Sequence, residues 1–465
     1  MIRTLWILTK IAVLVAAGWW VAHWAMNNPG TVQISWLGYD IEAHIGLVLL
    51  AGFVVILAAL VVYRIWLTLV SLPVMWGKKR ADKRRDRGMR ALVLGLSAVA
   101  AGDARVAGYQ ATRMRKFLPK DGGLPHLLEA QAARLQGNDL VARAHFDALM
   151  RDKETAFLGV RGLMQDAMDH ADVDAALVLA RKAQDMHPKQ KWILRTVFGL
   201  EVQKHDWTAA EKTLKSAERV GAFTAEEAQS NRLALLMAQA DQDLRAGLQA
   251  QALHHLRDAI QISAAFVPAA VRLARLCIDL QKKREAARII ERAWRANPHP
   301  DLIPLWDALA PENKASDAMV RMRWYERLVA LRPDHAESQL AAARAALEGG
   351  LWGEVRQYLV MAETLHPSPR IYRLWARLEE KTGHPETAKR MLEKAADAPA
   401  DPVWTCRQTG RIYERWSPIA EPHGTFNTIV WDYPDARKNL LADGSILHMQ
   451  ADPLLAAPVR SLGGR

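Results

Sequence analysis

Few residues in this sequence could carry chemistry. Among 465 residues there are two cysteines, Cys277 and Cys406, and 15 histidines. So few thiols give no disulfide framework and suit a reducing compartment. Cys277 falls on an amphipathic stretch three residues after Ala274, the place of a packed core thiol. His254 and His255 are adjacent in a helical stretch, while His187, His335 and His366 lie beside prolines. A liganded iron would need such side chains. A histidine beside a helix-ending proline is more simply a cap or loop residue. No Ser/His/Asp order, His-Glu-x-x-His run, phosphate-binding loop or strand-linked Gly-x-Gly-x-x-Gly is present. No catalytic residue and no cofactor is therefore assigned.

The net charge of +12 is concentrated. Lys78, Lys79, Arg80, Lys83, Arg84, Arg85, Arg87 and Arg90, against Asp82 and Asp86, place half of it in one short run. A run of this kind next to an apolar stretch sets membrane topology and faces lipid headgroups. The alternative is a nucleic-acid patch. It lacks interleaved aromatic residues for base stacking, and no nucleic-acid partner is assigned.

The elements around that run are membrane spans. Ile45 to Tyr63 carries no formal charge and is long enough to cross the hydrocarbon layer. Arg64 can snorkel, so the span is placed at 45–70, with Pro73 as the stop. A first span is placed at 5–26. Lys10 interrupts it, but no small-x-small cleavage site follows, and Trp19, Trp20 and Trp24 form an interfacial belt. The intervening loop carries Asp40 and Glu42 but no Lys or Arg. The positive-inside rule then places the N-terminus and everything after Leu72 in the cytoplasm.

Beyond Ala91 the composition is that of helices. Pro268, Pro298, Pro333, Pro367 and Pro402 recur at nearly even intervals. A period of about 34 residues closed by proline resembles the tetratricopeptide repeat, TPR. Its steric pattern is a small residue where two helices cross, another three turns further on, then a bulky residue, Ala and Pro. Ala274, Ala286, Ile290, Ala293 and Pro298 match in full. Ala376, Ala388, Leu392 and Ala395 match in part, as do Ala240, Ala252, Leu256 and Ala259. Ala132 with Ala144, and Ala176 with Ala183 and Pro188, extend the pattern upstream. About eight units are expected between Ala91 and Ala398, with 222–232 and 300–314 as insertions. The fold class is all-α: two transmembrane helices, a TPR-like α-solenoid and a short irregular tail. The division is 1–76 anchor, 77–90 basic segment, 91–400 repeats and 401–465 tail. Such solenoids bind proteins on concave surfaces and rarely do chemistry.

The whole layout, with the loop Gln33-Ile-Ser-Trp36-Leu-Gly-Tyr-Asp40 and the sequences Gly77-Lys-Lys-Arg80 and Lys116-Phe-Leu-Pro119, resembles the HemY family of bacterial inner-membrane proteins. The resemblance implies association with a late step of protoheme biosynthesis, as a scaffold or regulator and not as an enzyme. It implies protein partners, the late heme-biosynthetic enzymes among them, besides membrane lipid. An envelope-assembly or proteolysis adaptor and a direct heme or porphyrin carrier are the alternatives. Relatives of this family carry two Cys-x-x-Cys knuckles in a rubredoxin-like or zinc-ribbon tail. The corresponding positions here are Cys406, Thr409, Ala420 and His423, framed by Gly410, Trp416, Gly424, Phe426 and Trp431. Two donors do not close a structural metal site, so the site reads as eroded and no metal is assigned. The end of the chain reads as disordered.

Overall fold

The computed structural model describes residues 30–36, 39–118, 123–311 and 318–434, with positions 13, 16, 18–21, 23, 24 and 27 before them. The chain divides into two compact units, Met1–Asp121 and Gly122–Arg465.

In the first unit, strands β1 (Thr31–Trp36) and β2 (Tyr39–His44) pair antiparallel, Thr31 opposite His44 and Trp36 opposite Tyr39. The loop expected between two spans is therefore a β-hairpin, which the all-α expectation missed. Helix α1 (Ile45–Ala100) follows without a break. Within it Val48–Trp66 is long and apolar enough to cross a membrane, and none of it is buried within the protein. At about 1.5 Å per residue this segment rises about 28 Å, close to the hydrocarbon thickness. The span placed at 5–26 lies largely outside the described residues.

The stop expected at Pro73 does not occur, because α1 continues through it as far as Ala100. An interior proline removes one backbone hydrogen bond and costs about 3 kcal/mol. The long helical runs on either side hold the helix together across it. Helix α2 (Ala104–Phe117) is capped by Asp103 Oδ1, which accepts from the backbone N–H of Arg105 and Val106. It packs on the end of α1 through Ala91, Leu92 and Ala98 against Ala107, Ala111 and Met114, all buried.

The second unit holds eight helical hairpins among its described residues. They are α3–α4 (Leu124–Leu135, Asp139–Met150), α5–α6 (Ala156–Asp169, Val173–Met186) and α7–α8 (Lys191–Gln203, Trp207–Arg219). Next come α9–α10 (Ala225–Arg245, Gln249–Ile262) and α11–α12 (Val267–Asp279, Lys283–Ala296). The last are α13–α14 (Ile303–Ala308, Ala318–Leu331), α15–α16 (Ala336–Glu348, Trp352–Leu365) and α17–α18 (Pro369–Lys381, Pro385–Asp397). Most helices pack on the next, so the contacts run along the chain as in a stacked repeat; at the short α13 the order is broken, α12 packing on α14 and α13 on α11.

The turn inside seven of the eight hairpins, all but α13–α14, places one described residue in the left-handed region. Gly137, Ala171, His205, Gly247, Gln281, Gly350 and Gly383 hold it, with φ between 56° and 85°. The interval from Gly137 to Ala171 is repeated from Ala171 to His205 and again from Gly247 to Gln281, and it equals the expected repeat period. The step from His205 to Gly247 is longer by about two turns because α9 has 21 residues. The stretch 222–232 is thus no separate insertion. It is the Thr224–Glu227 capping box, in which each side chain accepts from the other's N–H, and the first turns of that helix. The stretch 300–314 opens as a 3-10 turn, Pro300–Leu302, followed by the shortened α13.

The crossing residues pack as the steric pattern requires in the central hairpins. Ala274, Ala286 and Ile290 are fully buried and Ala293 nearly so. Ala240, Ala252, Leu256 and Ala259 are fully buried too. Two positions differ. Leu392 is 53% exposed, because α18 is the last helix among the described residues and no further hairpin there presents a groove to it. In the first hairpin Ala144 is exposed, and the register runs instead through Ala130, Ala142, Phe146 and Leu149, all buried. Gly162 makes room for the Phe146 ring there, since a Cβ would lie 2.3 Å from it.

The described part of the tail, 401–434, is not irregular, and the end read as disordered lies outside the described residues. β3 (Val403–Cys406), β4 (Ile412–Tyr413) and β7 (Ile429–Asp432) form a three-stranded sheet ordered β4-β3-β7, and β5 (Ile419–Ala420) pairs with β6 (Thr425–Phe426). Strands this short show no alternation in a sequence.

Candidate interaction surface

The β-module lies on the repeats and buries part of their face. It shares one hydrophobic core with them, to which Trp404, Cys406, Trp416, Ala420 and Ile429 contribute. Its aromatic side chains make three anchor points. Phe426 packs against Phe198 of α7 and Trp207 of α8, with centroids 5.9 and 6.3 Å away. Trp416 stands edge-on to Phe266 at 5.1 Å, with the Arg272 guanidinium of α11 5.9 Å from its ring. Trp404 donates its indole N–H to Asp301 Oδ2 at 2.9 Å, and Trp404 and Trp431 enclose His299. Asn427 adds hydrogen bonds to Ser230 and Asn231 of α9, both at 2.9 Å. The first helices of three successive hairpins (Phe198, Ser230 and Arg272) and the 3-10 turn that opens the fourth (Asp301) all contribute. Sequence reasoning singled out the framing aromatics but not what they rest on, since partners so far apart in the chain leave no local signal.

His299 is the chemically unusual group in this seat. Its ring is 1% exposed and centred 4.2 Å from that of Trp431. Nδ1 accepts from the N–H of Asp301, and Nε2 has no hydrogen-bond partner. Burial, with the Arg370 charge acting in the same sense, pushes its pKa down to about 3. Burial raises Asp301 above the usual carboxylate range, offset in part by the Trp404 hydrogen bond.

At the eroded knuckle positions Cys406 is 1%, Ala420 1% and Thr409 8% exposed, while His423 faces solvent. Cys406 Sγ lies 3.4 Å from Thr428 Oγ1, which is 2.9 Å from Thr425 Oγ1. Burial raises the thiol pKa. Hydrogen bonds from the Thr409 and Thr428 hydroxyls, with backbone N–H groups of Thr409 and Gln408, outweigh it and hold the thiol below its ordinary value. Gly410 (φ +73°) donates its N–H to Cys406 O at 2.8 Å, which closes the knuckle turn. Hydroxyls occupy the surroundings of the one remaining thiol.

The other residues singled out in the sequence are dispersed. Arg80, Lys83, Arg84, Arg85, Arg87 and Arg90 project from α1 and are exposed; Lys78 and Lys79 belong to the same helix. The spacing of Arg80, Lys83, Arg84 and Arg87 puts them on one stripe. His187 and His366 cap helix C-termini, and His335 Nδ1 accepts the N–H of Glu337 at an N-terminus. His254 is exposed beside Asp258, and His255 faces Asp243 at 3.4 Å. Cys277 is fully buried, and burial raises its pKa. Trp306 and Trp324 stack at 4.2 Å, each indole N–H donating to the other's carbonyl, with Arg327 over both rings. One group among the described residues has the makings of a metal site: His126, Glu129 and His145. The sequence reading passed over it because its members come from two helices and carry no motif.

These features define a TPR-like helical-repeat protein with an apolar helix ahead of the repeats and a β-module laid over them. Residues 30–137 match the family described as HemY protein N-terminus. The chain is also similar to a probable magnetosome protein, Mms48, of Magnetospirillum gryphiswaldense, 25% identical over 410 residues that cover 88% of this chain and 89% of that one. Among solved structures it overlaps a tetratricopeptide repeat protein from Parabacteroides merdae at 15% identity, covering 54% of this chain and 93% of that one, with a TM-score of 0.25. Yeast Tom70 overlaps at 13% identity, 70% and 90% coverage and a TM-score of 0.28.

Proposed function

We propose that this protein is a membrane-anchored scaffold of the bacterial inner membrane. It holds its repeat unit on the cytoplasmic face and gathers proteins of a late step in protoheme biosynthesis, without catalysing that step. The observation that carries the reading is a helix of spanning length inside the segment that matches the HemY N-terminus, followed along the chain by stacked hairpins. The spans at 5–26 and 45–70 supply the tether, with the basic run facing anionic headgroups. Porphyrins partition to membranes, so a tethered scaffold raises the effective concentration of enzymes that pass them on. Part of the first-helix face is covered by the β-module, so partners dock on the hairpins it leaves free. Affinity capture from detergent-solubilised membranes, with the tag at the C-terminus, is expected to return heme-pathway enzymes. Their absence from the captured set would overturn the proposal.

A second reading, an adaptor for building an envelope compartment, is favoured by the near full-length match to a probable magnetosome protein. Capture of compartment-assembly proteins in place of heme enzymes would support it.

A further inference from the structure

Three potential ligand atoms converge in the first hairpin of the repeat unit. His126 and Glu129 lie one turn apart on α3, hence on one face, and His145 faces them from α4. The two Nδ1 atoms are 3.0 Å apart. Glu129 Oε2 lies 3.4 Å from Nδ1 of His145 and 3.9 Å from Nδ1 of His126. A point equidistant from three atoms so spaced is about 2.0 Å from each. That is the bond length of zinc to imidazole nitrogen and to carboxylate oxygen, about 2.0–2.2 Å.

We propose that His126, Glu129 and His145 bind a first-row divalent transition ion of the zinc type. Two imidazoles and one carboxylate make a ligand set of borderline softness suited to such ions. Three protein ligands leave one position open. The Glu129 carboxylate is 10% exposed and the His145 side chain 22%, against 44% for His126, so that position faces solvent on the His126 side. Without an ion, one Nδ1 must carry a proton and donate it to the other. The ion takes the place of that proton and draws a lone pair from each ring, releasing the proton to solvent. Bound there, it ties α3 to α4 and offers its open position to water or to a donor side chain of a partner. The Cys406 knuckle has no such convergence, so this site is independent of the eroded one.

The test uses the full-length chain in detergent, freed of metal with a chelator and dialysed against zinc or cobalt. The wild type is expected to retain about one equivalent. Cobalt is expected to give visible absorption of nitrogen and oxygen ligation without a thiolate charge-transfer band. Glu129→Gln, which preserves shape, and His145→Ala are each expected to weaken retention at least about tenfold. Cys406→Ser is expected to leave it unchanged. Circular dichroism of the metal-free variants separates lost ligation from lost fold. Retention equal in the wild type and in a folded Glu129→Gln, no retention by the wild type, or a thiolate band would overturn the proposal.

Discussion

Acidification should loosen the β-module, and His299 sets how much. The buried ring has its pKa pushed down to about 3 and stays neutral while the module is seated. When the module lifts, the ring returns to an ordinary value near 6.5. A base whose folded pKa is depressed costs stability as the pH falls, because the open state then binds the extra proton. The loss begins near pH 6.5 and grows down towards pH 3. Between pH 7.5 and 5.5 it amounts to about 1.4 kcal/mol, a tenfold rise in opening. Asp301, whose pKa is raised, works in the opposite sense but nearer the carboxylate range. Hydrogen exchange at the amides of β3 and β7, corrected for the intrinsic pH effect, reads the opening directly. His299→Asn keeps an acceptor for the Asp301 N–H and cannot take up a proton, so its exchange is expected to be flat over the same interval. An equal pH response in wild type and His299→Asn would refute the reasoning.

Other substitutions test the repeat packing. Gly159→Ala should destabilise by about 1–2 kcal/mol in chemical denaturation: its Cβ would lie 2.5 Å from the Phe146 carbonyl oxygen, and that crowding outweighs a gain of about 1 kcal/mol in helix propensity. Ile290→Ala should cost about 2–5 kcal/mol and Leu392→Ala less than about 1 kcal/mol, although both hold the same place in the repeat pattern; equal losses would contradict the packing. Gln281→Gly should stabilise by about 0.5–1 kcal/mol, because Gln281 sits at φ 59° where glycine is at ease. A loss on that change would mean that the hairpin turn does not need the left-handed region.

How much could be read from the sequence follows from the range of each interaction. The helix of spanning length was legible because an uncharged apolar run that long has one physical meaning. The central hairpins were legible because close crossing demands small residues at fixed spacing, as at Ala274 and Ala286. The first hairpin was misread because alanines at 130, 132, 142 and 144 fit two registers, and only Phe146 filling the space beside Gly162 decides between them. Pro73 misled because a local rule for helix ends takes no account of the strength of the helix on either side. The seat of the β-module was illegible. Trp404 and Asp301, or Asn427 and Ser230, meet only after the repeats have stacked. For the same reason His126, Glu129 and His145 gave no signal, since that constellation depends on how α3 meets α4.

The central claim is that the repeat unit hangs on the cytoplasmic side of a membrane. Leu140 is 80% exposed in the first hairpin, and both native cysteines are buried, so Leu140→Cys supplies one reactive thiol. Treating intact cells whose outer membrane has been made permeable with a membrane-impermeant maleimide should leave it unlabelled, and labelling should appear once the inner membrane is broken. Full labelling in the intact cells would put the repeats on the outer side and contradict the account.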